Sequence, residues 1–320
     1  MLVKDTNTIR LGMLGMVDGN GHPYSWSAIF NGYDRDAMST CPFAGIPAYL
    51  NKEPKESFGI PGAKVTHVWT DDPADAEKVA KASLVPNIVK RPEDVIGQVD
   101  AVVIATDKGH EHVKRCRPFV EAGLPVFVDK PMVDNEKDLA VFCRWEKEGR
   151  AIMSSSCMRY CKEFAPYRMS VHNLGALRFA SVTMCKTWER YGIHALESIY
   201  PILGPGFISV RNTGTIERNI VHLKHASGVD VVLVVSADMY GAFGVLQLCG
   251  TAGHVELSFS DTFYSFKAQL QAFVEFLRTD RRPFPFEETV ELMKIVIAGI
   301  RSREEDGRKI MIEEINENSN

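Results

Sequence analysis

A lysine just past the carboxyl end of a buried strand is a candidate for chemistry, and Lys130 is such a lysine. The stretch DAVVIATDKGHEHVKRCRPFVEAGLPVFVDKP, residues 100–131, reads as strand, loop, helix and strand, closing on Asp129-Lys130-Pro131. Ala101–Ala105 is an unbroken apolar run, as expected of a strand covered on both faces in a parallel sheet. A helix of about a dozen residues follows His110, and Gly123 stops it where a C-terminal glycine belongs. Pro125–Val128 then re-enters the sheet. Open α/β sheets bind ligands beyond the carboxyl ends of their strands, which is where Lys130 falls.

A second set of residues suits a nucleotide. Arg10–Leu14 is a short apolar strand that runs into Gly15-Met-Val-Asp-Gly-Asn-Gly21. A strand, a glycine-rich turn and a helix let backbone approach a diphosphate and offer it helix N–H groups. The spacing of Gly15, Gly19 and Gly21 is not G-x-G-x-x-G, and Asp-Gly and Asn-Gly also form plain turns, so both readings stand for this loop. Asp71 ends the next strand, Val65–Thr70. An acidic residue there accepts from an adenosine ribose and repels a 2′-phosphate, and no arginine stands beside it in sequence, which favours NAD over NADP. Asp72-Pro73 reads as the cap and first residue of a helix reaching about Ala82.

The positioning elements follow in order. Tyr24–Phe30 is a helix, Tyr33–Ala63 an ordered insertion with a short helix near Ile46–Leu50, and Arg91–Gln98 a short helix. Asn135–Glu148 is a helix, and Ala151–Ser155 is taken as the sixth strand of a Rossmann-like, doubly wound parallel sheet. After Cys157 the pattern changes to a helix near Lys162–His172 and strands at Leu177–Lys186, Ser209–Asn212, Ile220–Leu223, Val229–Ser236, Gly244–Cys249 and His254–Ser258. Short turns between them indicate a large open, mainly antiparallel sheet. Helices at Gly192–Leu203, Thr262–Arg278 and Glu287–Glu304 and a strand at Lys309–Ile312 complete an α+β domain. The expected units are 1–132, binding the nucleotide, and 133–320, binding substrate and other subunits. The polar tail Asn316–Asn320 is expected to fray.

Composition narrows the classes. The 320 residues are 45% hydrophobic with a net charge of -4, which favours neither nucleic acid nor an anionic membrane. No apolar run is long enough to span a bilayer, and MLVKDTNTIRLGML lacks the apolar core of a signal peptide. Seven scattered cysteines fit reduced thiols in the cytoplasm. Cys157 with Cys161, and His222 with His225, lack completing ligands for zinc, so no metal is expected.

Taken together, the chain resembles the glucose-fructose oxidoreductase/inositol dehydrogenase/MocA (Gfo/Idh/MocA) family of nicotinamide-dependent oxidoreductases. The matching parts are AVVIAT (Ala101–Thr106), His112 with Ala122-Gly123, Asp129-Lys130-Pro131 in place of Glu-Lys-Pro, GIHALE (Gly192–Glu197) in place of G-x-H-x-x-D, and the closing GTAGHVEL, QLQAFVEFL and GRKIMIEE. The resemblance implies that Lys130 lies beside the nicotinamide and the reacting carbon, after which Pro131 follows a cis peptide bond. It implies cofactor contacts from the Gly15–Gly21 turn, Asp71, Thr106, His112, Asp129 and Lys130. His194 would exchange the proton, since alcohol oxidation sends a hydride to the cofactor and a proton to a base, and histidine titrates near neutrality. A lysine ammonium would stabilise the developing alkoxide.

The departures fall near the substrate. The glycine turn is rearranged, one residue is inserted between Thr106 and His112, and the segment between Lys186 and Gly192 is short. Arg190 stands where many relatives carry an aspartate, and arginine cannot accept hydrogen bonds. Either Glu189 substitutes for it, or Arg190 meets an acidic substrate group. Glu197 shares a helical face with His194 and either orients it or is solvated. Arg159 either lines the cleft between domains or packs at the surface. The expected function is an NAD(P)-dependent oxidoreductase acting on a sugar, polyol or related hydroxy compound, working as a homodimer or homotetramer through the C-terminal sheet. The rival is a nucleotide-binding sensor of the same fold that has lost catalysis.

Overall fold

The structure, a computed structural model, describes residues 1–317. The chain begins β1 (Ile9–Leu14), α1 (His22–Asn31), α2 (Arg35–Ser39), α3 (Gly45–Leu50), β2 (Ala63–Trp69), α4 (Pro73–Ala82), β3 (Asn87–Ile88), β4 (Ala101–Ile104), α5 (His112–Glu121), β5 (Val126–Val128), α6 (Glu136–Lys147) and β6 (Ile152–Ser154). All six strands are parallel, in the order β3-β2-β1-β4-β5-β6. The chain changes winding direction between β1 and β4, and the crevice beyond their carboxyl ends is the ligand-binding switch point of such sheets. Every residue of β4 and β5 is buried, as the apolar runs require.

Several boundaries differ from expectation for local reasons. β3 has two exposed residues, too few to show a period. Residues 91–98 hold only a 3₁₀ turn, Pro92–Val95. The sheet is complete only with β6, which ends at Ser154. The insertion carries α2 as well as α3; Asp34 caps α2 by accepting from the Ala37 N–H at 2.8 Å. It is fastened by rings, Tyr24 on Phe43 and Tyr33 on Phe58.

The second half runs α7 (Tyr167–Ser170), β7 (Leu177–Cys185), α8 (Trp188–Leu203), β8 (Phe207–Asn212), β9 (Arg218–His225), β10 (Asp230–Ser236), β11 (Val245–Gly250), β12 (His254–Ser258), α9 (Thr262–Thr279), α10 (Phe286–Glu304) and β13 (Ile310–Met311). Its seven strands lie in the order β12-β11-β7-β10-β9-β8-β13. β7 and β10 pair in parallel, and the other pairings are antiparallel. The helix expected over Lys162–His172 is one turn, α7, with Pro166 at its N-cap.

Two features position the site. α8 begins at Trp188 rather than Gly192, which puts Arg190 in its first turn. The Trp188 indole donates to the Val296 carbonyl at 2.9 Å, and a Cβ on Gly192 would lie 2.7 Å from its ring; this glycine makes room for tryptophan. α9 returns to the first sheet, where Phe273 and Phe276 share a core with Trp26 and Phe127. The start of the tail is tied down, since the Asn316 N–H donates to Glu136 at 3.0 Å; residues 318–320 lie outside those described.

Candidate active site

The loop after β1 sits in the crevice. The Gly15 N–H donates to the Trp69 carbonyl at 2.8 Å, and Gly15 has φ +89°. A Cβ there would stand 2.7 Å from Thr106 Cγ2, so only glycine fits. Beyond β2, the Asp71 carboxylate accepts from the Met16 N–H at 3.1 Å and pairs with Arg115 at 2.9 Å. Asp71 and Arg115 border a cavity of about 460 Å³ walled also by Leu14, Trp69, Ile104 and Phe119. Apolar walls with one carboxylate at a strand end fit an adenosine, and the glycine cradle fits the adjoining diphosphate.

The N-terminus of α1 does not offer the free N–H groups expected of it. The His22 N–H donates to Asn20 Oδ1 at 3.0 Å, Pro23 has none, and those of Tyr24 and Ser25 turn back to the Gly21 carbonyl. Positive charge arrives instead from the second half of the chain. Arg190 donates to the Asp18 carbonyl at 3.0 Å and Lys186 to the Gly19 carbonyl at 2.9 Å. Gly19, with φ +74°, packs against the Arg190 guanidinium. Gly21 serves packing, since a Cβ there would lie 2.6 Å from Ile46 Cδ1.

Past β5, Asp129 is fully buried. It accepts from the Lys130 N–H at 2.7 Å, from Asn20 Nδ2 at 2.9 Å and from His22 Nδ1 at 2.5 Å. The Lys130–Pro131 peptide is cis. Lys130 is 2% exposed, with Nζ 3.4 Å from Asp107 Oδ2 and 4.6 Å from the centre of the Tyr191 ring. Asp107, just past β4, also accepts from Arg190 Nη2 at 2.6 Å and Nε at 3.0 Å. Burial alone would raise the Asp107 carboxyl, but Lys130 and Arg190 outweigh it and hold it at about 2. Lys186 covers the Tyr191 ring at 4.4 Å, and burial, aided by Lys130, lowers its pKa.

His194, 3% exposed on α8, has Nδ1 2.6 Å from Ser156 Oγ. Glu197 neither touches His194 nor is solvated; its carboxylate accepts from the Ser156 N–H and from Arg159 Nε at 2.9 Å. Ser156 thus stands between Glu197 and His194. Burial, followed by the charge of Lys130, drives the His194 pKa well below 6.5. His22 and His194 share a cavity of about 390 Å³ with Tyr191, Tyr240, Phe243, Phe259 and Phe266. Cys157 also lines it, but burial pushes its thiol up to about 12 and leaves it unreactive at neutral pH.

Lys130, His194, Arg190 and the Gly15–Gly19 loop thus converge on one crevice. Other candidates do not reach it. Arg159 is buried between Glu197 and Glu288, with its guanidinium over Phe284 at 3.9 Å. Glu189 pairs with Arg303 and cannot replace an aspartate beside His194. His112 is fully buried and braces two loops, with its ring nitrogens 2.8 Å from the Thr106 carbonyl and 3.0 Å from that of Met132. Thr106, His112 and Asp129 therefore shape the site from behind. Sequence reasoning missed Arg115, Asp107, Lys186, Asn20 and His22. Arg115 lies 44 residues from Asp71, beyond local inspection; His22, immediately after Gly21, was open to view.

Residues 45–155 match the Gfo/Idh/MocA family model, described as an oxidoreductase family with an NAD-binding Rossmann fold. The inositol 2-dehydrogenase of Rhodococcus erythropolis is 36% identical over 103 residues, 31% of this chain and 30% of that protein, so the chain matches about a third of this curated relative's length. A myo-inositol 2-dehydrogenase from Lactobacillus plantarum superposes with a TM-score of 0.75 at 15% identity, covering 95% of this chain and 99% of that one. A scyllo-inositol dehydrogenase from Lactobacillus casei, with bound NAD(H) and scyllo-inositol, gives 0.71 at 14% identity over 96% and 99%. At these identities the structural likeness is one of fold.

Proposed function

We propose that this chain is an oxidoreductase of the Gfo/Idh/MocA family, an NAD-dependent dehydrogenase acting on a hydroxyl carbon of a cyclic polyol or sugar. The observation that carries this reading is Lys130, buried past β5 against Tyr191, whose ring helps wall a cavity that also holds imidazoles. A bound nicotinamide would supply the hydride acceptor. Lys130, a cation in a site shielded from water, stabilises negative charge developing on the substrate oxygen. The departing hydroxyl proton goes to an imidazole, and the resemblance assigns that part to His194. Faces of Tyr191, Phe243 and Phe259 suit the C–H faces of a ring, while Lys130 and His194 suit its hydroxyls. The glycine loop, Asp71 and the cavity behind it hold the dinucleotide, with Arg190 and Lys186 beside the loop.

The same reading carries a cytoplasmic enzyme, since all seven cysteines are free thiols. Among the described residues no helix is long and apolar enough to cross a membrane. It also carries a homo-oligomer joined through the outer face of the C-terminal sheet, where Ile208 and Ile220 are exposed; sedimentation would show a dimer or tetramer.

The test is direct. NADH fluorescence should change on titration, and NAD should be reduced with at least one member of a panel of inositols, hexoses and uronates. Binding of NADH without any turnover would favour the sensor reading. Failure to bind either nicotinamide cofactor at millimolar concentration would refute both.

A further inference from the structure

We infer that His22, held by Asp129, takes the substrate's hydroxyl proton, an assignment that rests on the dehydrogenase reading above. His22 opens α1 and lines the same cavity as His194, from the opposite half of the chain. Its ring is fixed on three sides. It stacks on Trp26 with ring centres 4.2 Å apart and meets the edge of Phe266 at 5.2 Å, while Nδ1 lies 2.5 Å from Asp129 Oδ2. A carboxylate only accepts, so Nδ1 carries the hydrogen, and in the neutral imidazole Nε2 keeps the lone pair. Among the described residues Nε2 has no hydrogen-bond partner, and His22 lines the cavity.

The two imidazoles differ in what a captured proton would meet. A proton on His22 would make an imidazolium beside the carboxylate of Asp129, which is itself steadied by Asn20 and the Lys130 N–H. A proton on His194 would be buried against a hydroxyl, with the Lys130 ammonium close by. An oriented, charge-compensated imidazole is the better acceptor. His194 then serves as a hydrogen-bonding group for the substrate. In the balanced step the alcohol C–H pair leaves as hydride to the nicotinamide, the O–H proton moves to His22 Nε2, and a carbonyl forms. On reduction each passes back.

The groups facing His22 are Asp129 and Lys130 past β5, Asn20 on the glycine loop, Asp107 past β4, His194 on α8 and Phe266 on α9. The test uses the full-length protein with NAD and whichever panel substrate is turned over. His22→Gln should lower kcat on the order of 100- to 10,000-fold while leaving the NADH dissociation constant within twofold. Asp129→Asn should lower kcat as well, and the double variant should lose little more than His22→Gln alone. His194→Gln should raise KM and reduce kcat less than tenfold. Imidazole ¹⁵N spectra of the unmodified protein should show His22 protonated at Nδ1 and bare at Nε2, a result that needs no variant and no turnover. A His22→Gln enzyme that keeps a tenth of its kcat, a larger kcat loss in His194→Gln, or a hydrogen on Nε2 would each overturn the assignment. A wild-type protein that reduces no NAD with any substrate would instead refute the dehydrogenase reading itself.

Discussion

The guanidinium of Arg190, in the first turn of α8, grips the carboxylate of Asp107 past β4 through bonds of 2.6 and 3.0 Å. This pair joins the two halves of the chain at the mouth of the crevice and shares its carboxylate with Lys130. Removing the anion would leave two cations facing each other with no compensation. Asp107→Ala should therefore cost roughly 3 kcal/mol of stability, read from urea unfolding. The sign with pH follows from a carboxyl held at about 2, below its ordinary value of 3.8. Its stabilisation is complete above about pH 4 and fades as pH falls toward 2. An Asp107→Ala protein as stable as the wild type at pH 7 would mean that the pair contributes nothing.

His194 should impose its own slope at milder pH. Its folded pKa lies well below 6.5, so between the two values the unfolded chain binds a proton that the fold refuses. Stability from this group is present above pH 6.5 and is lost as pH falls through that window, by up to about 1.4 kcal/mol per pH unit. His194→Gln, which keeps the volume and removes the titration, should show a shallower decline between pH 7.5 and 5.5. Parallel curves for the two proteins would show that the fold does not disfavour protonation of His194.

Cofactor choice should turn on Asp71 and Arg115. Asp71 and Glu111 together occupy the Arg115 guanidinium, at 2.9 and 2.8 Å. Asp71→Ser would remove the carboxylate that opposes a 2′-phosphate and release an arginine able to bind it. The ratio of kcat/KM for NADP to that for NAD should rise more than tenfold, and an unchanged ratio would remove Asp71 from cofactor selection.

What was legible in the sequence follows from how local each signal is. The β4–α5–β5 unit could be read because its strands are buried on both faces and so are continuously apolar, and that unit alone places Lys130. The partners of Lys130 could not be read. Asp107 looks like a turn residue until Arg190, 83 positions later, closes on it. Sequence leaves Glu197 either orienting His194 or solvated, and Arg159 either lining the cleft or packing at the surface; burial instead makes them pair with each other. His22 is visible beside Gly21, but a histidine at a helix start has ordinary explanations, and the approach of Asp129 from beyond β5 gives it another.

Lys130 allows the most direct test of the site. Its ammonium is buried among Asp107, Tyr191 and the cavity wall, and Asp107 retains Arg190 if the ammonium is lost. Lys130→Met should therefore fold and bind NADH within threefold of the wild type, while kcat falls on the order of 100- to 1,000-fold, as for loss of one preorganised donor to a developing oxyanion. Lys130→Arg should not restore the rate, because a planar guanidinium cannot occupy a pocket that leaves the lysine 2% exposed. Turnover by Lys130→Met within tenfold of the wild type would mean that the alkoxide is stabilised elsewhere, with Lys186, which also lies over the Tyr191 ring, as the next residue to replace.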